Sequence, residues 1–226
     1  MANKNVNNKP ESNQAVGEAV SGVELFLKKN GNLLSTILLV VLVIACEIVA
    51  VNRWVIKPAK AEAHAAVLGA ERYFQTAQYE LAISGDGNVL GLADIIDQYG
   101  SKAGQGVYFE AGVCQLQLKN YEEALNYLRQ YKGTDEILKA RAKSCMGDAY
   151  VGLGDTESAL AAYKAAIKVG STPFTPAYLL KAAVAAEDLG LKDEALGYYN
   201  DIKVKYPASA EAADVEKYIS RLNAAE

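Results

Sequence analysis

Hydrophobic and polar positions fall into three regimes along the chain. From Leu33 to Val51 the sequence is apolar apart from Ser35, Thr36 and Glu47. Beyond Pro58, apolar residues recur every three or four positions over long distances, the spacing of amphipathic helices. Before Leu33 neither pattern is sustained.

The apolar run covers 19 residues, thirteen of them Leu, Ile or Val. A helix needs about 20 residues to cross a hydrocarbon core of about 30 Å, and the continuation through Trp54 to Ile56 supplies the margin. On an insertion scale of roughly -0.3 to -0.6 kcal/mol for each branched residue, the sum outweighs a penalty of about 3 kcal/mol for the acidic Glu47. Residues 33–56 are therefore expected to form a transmembrane anchor, with Arg53, Trp54 and Lys57 as an interfacial belt.

The stretch "VIAC" at 43–46 fits the loose pattern preceding a lipidated cysteine. The apolar run does not stop at Cys46, however, and 32 residues precede it, far more than an ordinary signal-peptide n-region. An uncleaved anchor is the expectation. Lys28 and Lys29 on one side balance Arg53, Lys57 and Lys60 on the other, so positive charge alone leaves the orientation open.

Residues 1–32 form a tail in two parts. "MANKNVNNKPESNQ" is Asn-rich and lacks apolar periodicity, which predicts disorder. In "AVGEAVSGVELFLKK", Val16, Val20, Val23 and Leu27 recur at helical spacing while two glycines weaken the helix. A short amphipathic helix and an unstructured linker both fit.

Beyond Pro58 the chain repeats itself. "GVCQLQLKNYEEALNYLRQY" begins at Gly112, "GDAYVGLGDTESALAAYKAA" 35 residues later at Gly147, and "AVAAEDLGLKDEALGYYNDIKVKYP" 36 residues later still at Ala183. Each copy places a small residue at Gly112, Gly147 or Ala183 and another at Ala124, Ala159 or Ala195, where two helices must approach closely. Gly154 and Gly190 mark turns, and Pro207 stops its helix. These residues resemble the tetratricopeptide repeat, a helix-turn-helix unit, over about 105 to 207. The resemblance implies an all-α helical solenoid with three repeats in 105–208.

The flanks read as caps, which a solenoid needs to keep its end faces dry. "AEAHAAVLGAERYFQTAQYELAI" predicts one long helix, "SGDGN" a turn and "GLADIIDQYG" a second helix, together a degenerate first repeat over 57–104. In 209–226, Val215, Tyr218, Ile219 and Leu222 form one stripe, a capping helix with Ser209 as N-cap.

Charge and chemistry exclude more than they suggest. Residues 58–226 carry 17 basic and 23 acidic side chains, a net of -6, with no basic face for nucleic acid. The single histidine, His64, has no partner spacing for catalysis, and "GDGN" at 85–88 lacks the later ligands of a calcium loop, so Asp86 and Asn88 are expected to favour the turn. Cys114 and Cys145 are offset by about one helical turn after alignment, which disfavours a disulfide. Neither an enzymatic activity nor a cofactor or metal site is expected.

Binding remains. Repeats of this kind bind along a concave face lined by the first helix of each pair. In the present register that face presents Phe109, Val113, Leu116, Ser144, Asp148, Val151, Leu180 and Val184, a mainly apolar surface suited to a hydrophobic polypeptide segment. The Lys/Asn clamp of the chaperone-docking subset of the family is absent from these positions. A cover of the chain's own helices over part of this face is the other reading.

The whole layout, together with "YFEAGVCQLQLKNYEEALNYLRQYKGTDEI" and "FTPAYLLKAAVAAEDLGLKDEALGYYNDIKVKYPASAEAADVEKYI", resembles the YfgM-like family of bacterial inner-membrane proteins, especially its Bacteroidetes branch. The resemblance implies a single-pass protein with periplasmic repeats, associated with the Sec translocon and a membrane-anchored peptidyl-prolyl isomerase. It implies a non-enzymatic adaptor; a scaffold for another secretion or cell-wall assembly is the alternative. Glu47 in the span is a candidate contact to a partner's transmembrane helix.

Overall fold

The computed structural model describes residues 12–224, with side-chain surroundings from Lys28 onward. Every regular element among them is helical. The expected disordered segment lies mostly outside the described residues. The chain divides into two units, 1–58 and 59–226.

In the first unit, α1 (Ser12–Val51) runs through the weakly amphipathic segment and the apolar run. It carries the chain's one stretch, among the described residues, long and apolar enough to span a membrane, with a mean hydropathy of 2.8. Its large side chains, from Leu33 to Val51, are largely exposed. A π turn, Asn52–Ile56, follows, in which Lys57 N–H donates to Asn52 O. Pro58 explains it: a proline lacks the N–H that would bond Trp54 and its ring would strike that carbonyl, so the helix widens by one residue.

In the second unit the helices are α2 (Lys57–Gln75), α3 (Tyr79–Ser84) and α4 (Leu92–Tyr99). A single 3-10 turn, Gly100–Ala103, leads into the remaining helices. These are α5 (Gly106–Gln117), α6 (Tyr121–Gln130), α7 (Glu136–Gly152) and α8 (Thr156–Ile167), then α9 (Thr175–Asp188), α10 (Lys192–Lys205) and α11 (Ala212–Ala224). Successive helices from α5 to α11 pack as neighbours.

The small residues act as expected. A Cβ on Gly112 would lie 2.6 Å from Leu128 Cγ, and one on Gly147 would lie 2.6 Å from Tyr163 Cδ1. Ala124, Ala159, Ala183 and Ala195 are fully buried. At the C-terminal end Tyr218 stacks on Tyr199, their rings 5.2 Å apart, and Val215 is fully buried, so α11 covers the apolar edge left by α10. Ser209 Oγ accepts from Ala212 N–H at 3.2 Å, the cap foreseen for this helix.

Four helix pairs share one turn. The backbone N–H groups of Gln78, Asn120, Asp155 and Leu191 each donate to the carbonyl five residues back, on Tyr73, Gln115, Tyr150 and Ala186. The residue before each donor has positive φ: Ala77, Lys119, Gly154 and Gly190. This is the double-bonded close of a helix in the left-handed conformation. It corrects one expectation: the helix from Ala61 to Ile83 is not continuous but breaks at Ala77, and α3 rather than Leu92–Tyr99 is the second helix of that pair. Alanine at the left-handed position hid the break. The later "SGDGN" is a turn in its own right, since Asp86 Oδ1 accepts from the backbone N–H groups of Asn88 and Val89 at 2.9 and 2.7 Å.

Candidate functional site

α5, α7 and α9 are the first helices of three successive pairs, and α5 packs against α7. A groove of about 270 Å3 lies between α7 and α9 and is lined by Arg141, Ser144, Asp148, Phe174, Tyr178 and Lys181, among others. Arg141, Ser144 and Asp148 share a face of α7 by their spacing of three and four, and the N-cap Phe174 with Tyr178 and Lys181 follow the same rule along α9.

The polar groups form two sets. Lys181 Nζ donates to both carboxylate oxygens of Asp148 at 2.7 Å, and Tyr163 OH donates to Asp148 Oδ1 at 2.8 Å. The first set is satisfied internally. In the second, the Arg141 guanidinium lies over two aromatic faces, 5.7 Å from the Phe109 ring centre and 5.4 Å from that of Phe174. It forms no ion pair among the described residues. The Tyr178 hydroxyl is buried with no hydrogen-bond partner among the described residues, and burial pushes the phenol up to about 12, with Arg141 opposing. It stays a neutral donor. Arg141 thus offers N–H groups that a carbonyl or carboxylate of a bound chain can accept, whereas the Tyr178 hydroxyl lies closed off from solvent beneath the surface.

Burial and the nearby Asp148 raise the Cys145 thiol to about 11, and burial raises the Cys114 thiol to about 12. Neither is a thiolate at neutral pH, so neither is activated as a nucleophile. Both are free cysteines, in keeping with their offset.

The eight expected groove residues are distributed unevenly. Phe109 is only 6% exposed and packs with Leu128 and Ala142, which makes it part of the core rather than of the groove lining. Ser144 is buried. Val113, Leu116, Asp148 and Leu180 are half-buried, and only Val151 and Val184 present open apolar surface, 53% and 43% exposed. The groove is accordingly more polar than its sequence register implied. Phe174, Tyr178 and Lys181 were missed because the register in α9 fell one residue away, and one residue is about 100° around a helix; Arg141, one turn before Ser144 on the same face of α7, lay outside the stretch taken for that face. The signal available was the recurrence of aromatic and basic residues at helical spacing on both segments. Glu47 lies exposed on α1.

Residues 106–136 match one tetratricopeptide repeat family and residues 146–210 match another. The chain carries tetratricopeptide repeats. No curated protein matched it. Such repeats are generally non-catalytic protein-interaction modules; the matched segments contain α5, α9 and the end of α7 and leave out 137–145, where Arg141 and Ser144 lie. The repeats make protein partners the expected ligands.

Proposed function

We propose that the chain is a membrane-anchored adaptor whose repeats hold a polypeptide segment in the groove between α7 and α9. The observation that carries this reading is the exposed Arg141 guanidinium there, held over two aromatic rings with no carboxylate partner among the described residues. Val151 and Val184 extend the surface with apolar contacts. A peptide supplies both complements, carbonyl or carboxylate oxygens and aliphatic side chains.

The resemblance to the YfgM-like family supplies the finer part of the proposal. In it, residues 33–56 cross the inner membrane once, the repeats lie in the periplasm, and the partners are the Sec translocon and an anchored peptidyl-prolyl isomerase. Glu47, at the apolar centre of the span, contacts a partner's transmembrane helix.

The test is co-purification from native membranes in mild detergent with identification of retained proteins by mass spectrometry. Translocon subunits and an isomerase are expected with the unaltered chain. Arg141→Glu and Val184→Asp, both at exposed positions, are expected to release a groove-bound client, and Glu47→Leu to loosen the membrane partner. Retention of a different secretion or cell-wall complex would replace the assigned role by that of a scaffold. Phe109→Asp is unsuitable here because its effect on the core would mask any effect on binding.

A further inference from the structure

A second recess lies on the other side of α7. Residues two positions apart on a helix are separated by about 200°, so Lys139 and Lys143 point away from Arg141. They face the end of α6, and with Arg129 and Lys132 they rim a groove of about 370 Å3 floored by Leu128 and Met146. Among the described residues, no carboxylate pairs with any of the four cations.

The charge of this region is opposite to that of its surroundings. Residues 129–143 hold five basic and two acidic side chains; the rest of 58–226 holds 12 and 21, from totals of 17 and 23, a net of -9. One of the two acids, Asp135, is occupied as the cap of α7, accepting from Leu138 N–H at 2.7 Å. Helix stability accounts for only half of the cations. Arg129 and Lys132 sit at the C-terminal end of α6, where the helix dipole favours positive charge, and Lys132 Nζ donates to Arg129 O at 2.9 Å. Lys139 and Lys143 occupy the N-terminal half of α7, where the dipole gives them no such support.

We propose that this groove binds an acidic polypeptide segment, its carboxylates against the four cations and an aliphatic side chain on Leu128 and Met146. Charge complementarity selects the acidic character. The recess between two helices, with an apolar floor, fits a side chain inserted from a peptide. An anionic lipid surface fits less well, because the remaining net charge of -9 on the same unit would be repelled by it. This surface is separate from the α7–α9 groove and does not depend on it.

The test uses the full-length chain in dodecylmaltoside micelles, titrated against a fluorescein-labelled peptide of alternating glutamate and leucine and followed by anisotropy. The acidic peptide should bind, weaken as salt is added, and exceed a glutamine-leucine control. Lys139→Gln with Lys143→Gln should weaken binding about tenfold, whereas Val184→Asp should leave it unchanged. If the double variant loses its cooperative melt, Arg129→Gln, at an exposed position, answers the same question by a smaller loss. Equal binding by folded variants, or none by the unaltered chain, overturns the proposal. Displacement of the peptide by dihexanoyl-phosphatidylglycerol at lower concentration than by unlabelled peptide assigns the groove to lipid headgroups and also overturns it. Loss of client retention in Val184→Asp with peptide binding intact separates the two grooves.

Discussion

Lys181 and Asp148 join α9 to α7 across the floor of the repeat groove, the ammonium lying 2.7 Å from each carboxylate oxygen. Their side chains retain 41% and 30% of their exposure, so solvent screens the pair. Lys181→Met is expected to cost about 0.5 kcal/mol, the scale of an exposed ion pair. Asp148→Ala should cost more, about 2 kcal/mol, because it also strips the acceptor from the hydroxyl of the buried Tyr163. Urea unfolding of the two variants checks the order. Equal costs would mean that Tyr163 gains nothing from Asp148.

Two helical glycines should respond to alanine with opposite signs. Gly197 in α10 is exposed with open space where a Cβ would go, so Gly197→Ala should add about 0.5–1 kcal/mol through the usual helix preference. At Gly147 the Cβ would enter the Tyr163 ring, and Gly147→Ala should cost about 1–3 kcal/mol. Thermal melts of both variants decide it; stabilisation by both would show that Tyr163 can withdraw freely.

Lys119 holds the left-handed position of its turn with φ 64, where the next two pairs have Gly154 and Gly190. A side chain there costs about 1–2 kcal/mol, partly offset by the greater unfolded-state freedom of glycine. Lys119→Gly is therefore expected to gain about 0.5 kcal/mol net, and Gly154→Ala to lose about 1 kcal/mol. Chemical denaturation midpoints with unchanged slopes are the readout.

Glu110 in α5 has a buried Oε2 without a hydrogen-bond partner among the described residues, and burial, with the Glu71 carboxylate adding to it, raises its carboxyl from 4.5 to about 7. The folded chain thus keeps a proton that the unfolded chain gives up. Stability from this group is full below pH 4.5 and falls as pH rises to about 7. Glu110→Gln should flatten that slope and raise the melting temperature at about pH 8 relative to the unaltered chain. A variant with the same slope as its parent would place the titration elsewhere.

The helical pairs from Gly106 onward were legible because close approach demands Gly112, Gly147 and Ala183, and no other reading explains small residues at that interval. Pro207 and Ser209 likewise carry their meaning locally. The leading pair was blurred because Ala77 occupies a conformation that alanine rarely adopts, so no glycine advertised the turn. The groove was legible only in outline. Periodicity identifies a helix face to within a residue, and in α9 that residue separates the aliphatic Leu180 from Lys181, which closes the ion pair. Nor can a sequence tell that the ring of Phe109 is consumed beneath Arg141.

The four matching turns have a consequence for how the chain can be rearranged. Each turn closes on hydrogen bonds from its own few residues, so its geometry is owed to no distant segment. Excising residues 120–154 would set Lys119 directly before Asp155, a residue that already follows such a turn, and rebuild the same close from two halves. The repeats are thus interchangeable at their seams, and chain length there can change by one whole unit at a time.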